Sequence, residues 1–176
     1  DEPFLPYARD EHGARPWAIP GTPHLMHQIG GLEKQALTGA VSYDPENHER
    51  MVGERAAKVA GIAVPDVVVD ADEDAEVLVL GWGSTEGALR AGVRRVRDRG
   101  IPVARAHLRH LNPLPQNLGE VLRSYKKVLV GEINTGQLAR VLRDTYLVDV
   151  QSFTRVQGRP LRAAEVENAI LEVLDS

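Results

Sequence analysis

The sequence predicts an α/β protein, a mostly parallel sheet with helices on its faces, and three features of one stretch predict it. Val77-Leu78-Val79-Leu80 is a short, wholly apolar run that meets a glycine-rich turn, Gly81-Trp82-Gly83-Ser84-Thr85-Glu86-Gly87. A strand covered on both faces reads this way, because no position along it meets water. An amphipathic segment follows, with Leu89, Val93 and Val96 at helical spacing and Arg90, Arg94, Arg95 and Arg97 on the remaining face. Residues 101–108, and 128–131 after an intervening helix, then return as buried strands. Strand, helix, strand, helix, strand is the rhythm of parallel pairing with crossover helices.

The other elements follow in order. Residues 1–44 read as connector, punctuated by Pro3, Pro6, Pro16, Pro20 and Pro23 and loosened by Gly13, Gly21, Gly30 and Gly31. Trp17, Leu25, Met26, Ile29 and Leu32 nonetheless need a surface, either on a body outside this sequence or on the domain within it. Asp44 offers an N-cap and Pro45 a first helical residue, so a helix is expected over 45–60, stopped by Gly61. Met51, Val52, Arg55, Ala56 and Val59 mark one of its faces. Residues 64–69 are a β-branched run. The acidic Asp70-Ala71-Asp72-Glu73-Asp74 behind it lacks the glycine and terminal glutamate of an EF-hand and reads as a solvated turn between strands. Gly100 ends the arginine-rich helix, as a left-handed residue would. Leu118, Val121 and Leu122 mark the next helix. Asn134 caps one carrying Leu138, Val141 and Leu142, residues 146–153 form the last strand, and 163–174 close the chain with Val166, Ile170 and Val173 inward.

With 176 residues the chain holds one compact domain plus a sizeable appendage. A net charge of −4 gives no footprint for nucleic acid. The lack of cysteine removes disulfides, thiolate catalysis and cysteine-held zinc or iron–sulfur sites from this chain, and it fits a cytoplasmic protein. No apolar run approaches the roughly 18 residues of a membrane span. A chain that starts with Asp and shows no signal pattern reads as a piece of something longer.

The glycine turn resembles a dinucleotide fingerprint only loosely: its third glycine comes one residue late, and no lysine follows to make a Walker motif. Its alternatives are a tight turn that permits close packing and a helix N-terminus that accepts an anion. The loop carrying Arg109, His110 and Asn112 combines a guanidinium, an imidazole and an amide at a strand's carboxyl end, where open α/β sheets meet ligands or partners. Glu132, Asn134 and Gln137 occupy the same end of the next strand. Buried there, the Glu132 carboxylate would need a partner. His12, His24, His27, His48, His107 and His110 make no helical His-x-x-x-His pair and read as scattered structural or surface histidines.

Three blocks together resemble the C-terminal part of 2-oxoacid:ferredoxin oxidoreductase α subunits, the 2-oxoglutarate type above all. They are Gly81-Trp82-Gly83-Ser84, His107-Leu108-Arg109-His110-Leu111-Asn112-Pro113-Leu114-Pro115 and Glu132-Ile133-Asn134-Thr135-Gly136-Gln137-Leu138. Arg15-Pro16-Trp17-Ala18-Ile19-Pro20-Gly21-Thr22 and Gly30-Gly31-Leu32-Glu33-Lys34 look like the same subunit's segment after its pyrimidine-binding domain. The resemblance implies a three-layer sandwich like the transketolase C-terminal domain, with about five strands, one of them antiparallel and best matched by residues 64–69. It implies a lead-in segment and helix over 1–62 and that domain over 63–176. It further implies a thiamine-diphosphate enzyme with Mg2+ and iron–sulfur clusters that decarboxylates 2-oxoglutarate, forms succinyl-CoA and reduces ferredoxin. The clusters and thiamine diphosphate would depend on residues outside this chain, so the chain alone is expected to be inactive. A β subunit, ferredoxin and CoA are the implied partners of an oligomeric enzyme. A non-catalytic interface domain of a pyruvate or branched-chain 2-oxoacid oxidoreductase is the alternative. Arg15 is expected to grip a substrate carboxylate, with Thr22 and His27 as helpers, or else to stack on Trp17; Arg109, His110, Asn112, Glu132, Asn134 and Gln137 are expected to face a ligand or another subunit.

Overall fold

The computed structural model describes residues 3–176, so Asp1 and Glu2 of the connector lie outside it. The chain divides into two compact units, Asp1–Ala63 and Val64–Ser176.

In the first unit the expected helix forms as α1, Pro45–Ala60. The Asp44 carboxylate accepts the Glu46 amide at 3.0 Å, and Gly61 closes the other end on the Ala57 carbonyl. The segment before α1 has one isolated bridge, Lys34 to Val41. Asn47 fastens it to the helix, accepting the Ala36 amide at 3.0 Å and donating to the Lys34 carbonyl at 2.9 Å. Arg9 adds a 2.7 Å ion pair to Glu54. Of the expected helix face only Met51 is buried; Val52 and Val59 stay open. Trp17, Met26 and Ile29 are exposed almost completely, at 91%, 96% and 85%.

The second unit is a five-stranded sheet in the order β1-β3-β2-β4-β5. The strands are β1 Val69–Asp70, β2 Val77–Trp82, β3 Ala104–Leu108, β4 Lys127–Glu132 and β5 Val150–Thr154. β1 runs antiparallel to β3 and every other pairing is parallel. Alternate residues of the central strands point to opposite faces. Leu78, Leu80, Val128 and Val130 pack under α3, Leu118–Arg123, and α4, Gln137–Tyr146. Val77, Val79 and Leu129 pack under α2, Glu86–Arg97, and α5, Ala163–Asp175. The result is the three-layer sandwich, with the helix faces inward as spaced: Leu89, Val93 and Val96 on α2, and Val166, Ile170 and Val173 on α5.

Strand boundaries depart from the sequence reading wherever a side chain takes over backbone pairing. The run over 64–69 is a strand only from Val69, because Asn117 both donates to the Val67 carbonyl and accepts its amide, each at 2.9 Å. Pro65 has no N–H to offer a neighbour. Val103 likewise precedes β3: Asp72 accepts its amide at 3.1 Å and Arg97 donates to its carbonyl at 2.7 and 3.1 Å. The acidic run is the expected solvated turn, between β1 and β2, and in addition Asp70 and Asp72 pair with Arg97 at 3.1 and 2.8 Å. Tyr146 ends α4 instead of opening β5, since Leu147 turns left-handed (φ 53°) after it.

At the start of α5, Glu165 accepts from Arg159 at 2.9 and 3.0 Å and from the Arg162 amide at 2.9 Å, with Arg155 3.4 Å away. The hydrogen bonds from Arg159 dominate and hold its pKa at about 2, against an ordinary 4.5. The unfolded chain therefore takes up a proton at a higher pH than the folded one. The stabilisation is whole above pH ~4.5 and is lost as pH falls towards ~2. Glu165→Gln is expected to flatten stability against pH across that window, read from denaturant midpoints on acidification. An unaltered acid limb would remove Glu165 as its source.

Candidate functional site

The central strands β2 and β4 are neighbours, yet the helices that follow them lie on opposite faces, α2 on one and α4 on the other. Such a reversal opens a crevice at the carboxyl ends of the two strands, the usual ligand position in open α/β sheets. Here Glu132 spans it. Its side chain is fully buried, and Oε1 accepts from Trp82 Nε1 at 3.1 Å, Asn134 Nδ2 at 3.0 Å and the Leu138 amide at 2.9 Å. Oε2 accepts the Ala139 amide at 3.2 Å. The chain's own carboxylate thus fills the anion position at the N-terminus of α4, where free amides and the helix dipole favour negative charge.

This corrects the expectation that Glu132 faces a ligand or partner: four donors satisfy it inside the unit. Asn134, half-buried, works in both directions, since its Oδ1 also accepts the amides of Gly136 and Gln137 at 2.8 and 3.0 Å. The Gln137 side chain is left exposed.

The first glycine of the turn, Gly81, is a packing device, as is Gly131 of β4; Gly83 and Gly87 have open space around them. A Cβ on Gly81 would lie 2.1 Å from Leu89 Cδ1, and one on Gly131 would lie 2.6 Å from Leu89 Cδ2. Leu89 of α2 sits in a socket formed by glycines of β2 and β4, so these two glycines serve the core.

Arg109 and His110 are exposed at the end of β3 and line a cleft of about 390 Å3 with Arg105, His107 and Glu86. Asn112 is exposed in the same loop, before a cis bond to Pro113, but does not line the cleft. His107, given no site role by the sequence, has its pKa lowered chiefly by burial, against the opposing pull of the Glu86 carboxylate. Arg105 was also missed. Its Nε is buried without a hydrogen-bond partner among the described residues. An arginine inside a strand gives no signal of its own beyond breaking the apolar run.

In the first unit the structure separates residues the sequence had grouped. Arg15 stacks over Tyr7, 4.3 Å from the ring centre, and not over Trp17. It lines a basin of about 590 Å3 with Arg9, Lys34, Arg55 and Lys58. Thr22 and His27 line a different hollow of about 430 Å3, where His27 Nδ1 donates to the Leu25 carbonyl at 2.9 Å.

A family profile described as pyruvate:ferredoxin oxidoreductase core domain II matches residues 75–166. The 2-oxoglutarate oxidoreductase subunit KorA of Mycobacterium tuberculosis is 57% identical over 98% of this chain. The chain belongs to the 2-oxoacid:ferredoxin oxidoreductase family. A chain of the 2-oxoglutarate:ferredoxin oxidoreductase from Magnetococcus marinus, solved with 2-oxoglutarate, coenzyme A and succinyl-CoA bound, superimposes over 98% of this chain with a TM-score of 0.86 at 30% identity. A split-gene transketolase shares the fold alone, at a TM-score of 0.50 and 19% identity over 65% of this chain and 43% of its own. The chain spans 27% of the length of the mycobacterial subunit and 31% of the Magnetococcus chain. The three blocks that carry the sequence resemblance all lie at the carboxyl edge of the sheet, from the last residues of β2, β3 and β4 into the loops that follow.

Glu132→Ala leaves Trp82 Nε1 and two α4 amides without an acceptor in a buried place. At about 1–3 kcal/mol for each unpaired donor, the second unit is expected to lose several kcal/mol, measured by urea unfolding. Glu132→Gln, which keeps one acceptor oxygen, is expected to lose less. A loss below ~1 kcal/mol for Glu132→Ala would show that these donors find other partners.

Proposed function

We propose that the chain is the C-terminal part of the α subunit of a 2-oxoglutarate:ferredoxin oxidoreductase, an enzyme that converts 2-oxoglutarate and CoA to succinyl-CoA and reduces ferredoxin. The identity with the mycobacterial subunit across nearly the whole chain carries this reading. Within the enzyme the chain serves as an assembly and active-site-edge module. Its rigid carboxyl edge presents Arg109, His110, Asn112, Asn134 and Gln137 to a β subunit or a neighbouring domain.

The reaction needs thiamine diphosphate with Mg2+ and an iron–sulfur cluster, and the donors here fit neither the metal ion nor the cluster. The chain has no cysteine to ligate a cluster. Among the described residues no three histidine or carboxylate side chains come together to hold a metal ion. In this reading both groups are held by the rest of the enzyme, and no step of this chain runs through them. Among the described residues no helix is long and apolar enough to cross a membrane.

Arg15 remains the residue assigned to substrate. A guanidinium grips a carboxylate through a bidentate fork that lysine cannot reproduce, and stacking on Tyr7 orients its plane. Thr22 and His27 act as helpers only where their loop meets the active site, since they share no hollow with Arg15 inside this unit.

The complete enzyme is expected to reduce ferredoxin faster with 2-oxoglutarate than with pyruvate or a branched-chain 2-oxoacid; the reverse order would assign it to the alternative substrates. Arg15→Lys is expected to raise KM for 2-oxoglutarate about tenfold, the loss of one charge-assisted bond. Unchanged kinetics for every 2-oxoacid would leave that loop purely structural. The double variant Asn134→Ala, Gln137→Ala is expected to weaken assembly or turnover, measured by co-purification of the β subunit alongside the ferredoxin assay. If neither moves, this edge is not the docking surface.

A further inference from the structure

The basin around Arg15 sets five cationic side chains against one carboxylate. Arg9, Arg15, Lys34, Arg55 and Lys58 line it with Glu33, in a chain whose net charge is −4. Three of the five are already engaged. Arg9 pairs with Glu54 at 2.7 Å and Arg55 with Glu33 at 3.3 Å. The buried Lys34 donates to the carbonyls of Leu32 and Gly30 at 2.6 and 3.3 Å.

Arg15 and Lys58 are different: neither makes an ion pair with any side chain among the described residues. Arg15 is fixed by the face of Tyr7. Lys58 is exposed, with only the base of its side chain against Gly13, where a Cβ would lie 3.2 Å from Lys58 Cβ. Asp10 feels the Lys58 charge. Its carboxylate is nevertheless spent on the amides of His12 and Ala14, at 2.9 and 2.8 Å.

Two cations without ion-pair partners among the described residues, lining one cavity of about 590 Å3, suit a small ligand with two anionic groups. Resting on the assignment of Arg15 to a substrate carboxylate, we infer that Lys58 determines specificity by taking the second anionic group, so that the basin selects dicarboxylic over monocarboxylic 2-oxoacids. The division of labour follows from the two side chains. The guanidinium fork fixes one carboxylate in orientation, while the lysine point charge on its flexible stem follows the distal one. A monocarboxylate would leave the Lys58 charge without a counterion.

The test uses the complete enzyme, with kcat and KM measured separately for 2-oxoglutarate and for the monocarboxylate 2-oxobutyrate, the latter as substrate or as competitive inhibitor. Lys58→Met keeps the apolar stem and removes the charge. It is expected to raise KM for 2-oxoglutarate about tenfold with kcat retained, to leave the 2-oxobutyrate constant in place, and to be largely rescued by Lys58→Arg. An equal rise for both acids overturns the specificity role. If Lys58→Met leaves the 2-oxoglutarate KM unmoved while Arg15→Lys raises it, this inference fails and the Arg15 reading stands. If neither variant moves it, both fail. Inorganic phosphate is also a small dianion, so its inhibition is measured alongside. Phosphate inhibition relieved by Lys58→Met, with the 2-oxoglutarate KM unchanged, would give the basin to phosphate and overturn the dicarboxylate reading.

Discussion

The second unit depends on one buried carboxylate. Glu132 stands at the end of the central strand β4, and desolvating its charge would be costly without compensation. The compensation comes from three directions at once: the indole of β2, the amide of Asn134, and the first-turn amides of α4. Each donor therefore fixes a different element, and the carboxylate sets where α4 starts, how the loop before it folds, and how far the ends of β2 and β4 part. An apolar residue there would fill the space but could not specify these three positions. The crevice typical of this architecture is consequently locked from within, and what stays at its rim is Asn134 and Gln137 together with the β3 loop.

Packing supplies the complementary constraint on the other face. Leu89 reaches between Gly81 and Gly131, which brings α2 close to both central strands. On its outer side, Gly92 lies against Val166 so closely that a Cβ would meet it at 2.4 Å. One helix is thus seated twice through missing side chains, on the sheet and on α5. Interiors packed to crystal-like density transmit such fits over several residues, so the carboxyl edge is held by polar bonds on one face and by steric fit on the other.

The sheet and its helices were legible in the sequence because their period is carried by local, apolar residues. The spacing of Leu89, Val93 and Val96, and of Val166, Ile170 and Val173, had one reading. The ends of strands were not legible, because distant polar side chains decide them. Nothing near Val67 announces that Asn117 will occupy its backbone groups, and nothing near Val103 announces Asp72 and Arg97. The same limit applies to sites. Arg109 and His110 could be placed at a strand end, whereas Arg105 and His107 join their cleft only because the sheet puts alternate residues of β3 on one side. Glu132 was singled out for being polar at a strand end, and the sequence also required that it find a partner if buried. The donors themselves, drawn from β2 and α4, became visible only in the fold.

The indole held by Glu132 has a further consequence. The chain has two tryptophans, and they fall one to each unit, Trp17 open to solvent and Trp82 partly enclosed with its N–H bonded to a carboxylate. The molecule thereby carries two optical reporters with contrasting emission, a red-shifted one that senses whatever covers the lead-in loop and a shielded one that senses the carboxyl edge of the sheet. Intrinsic fluorescence can then follow docking and unfolding in separate parts of one polypeptide without any label.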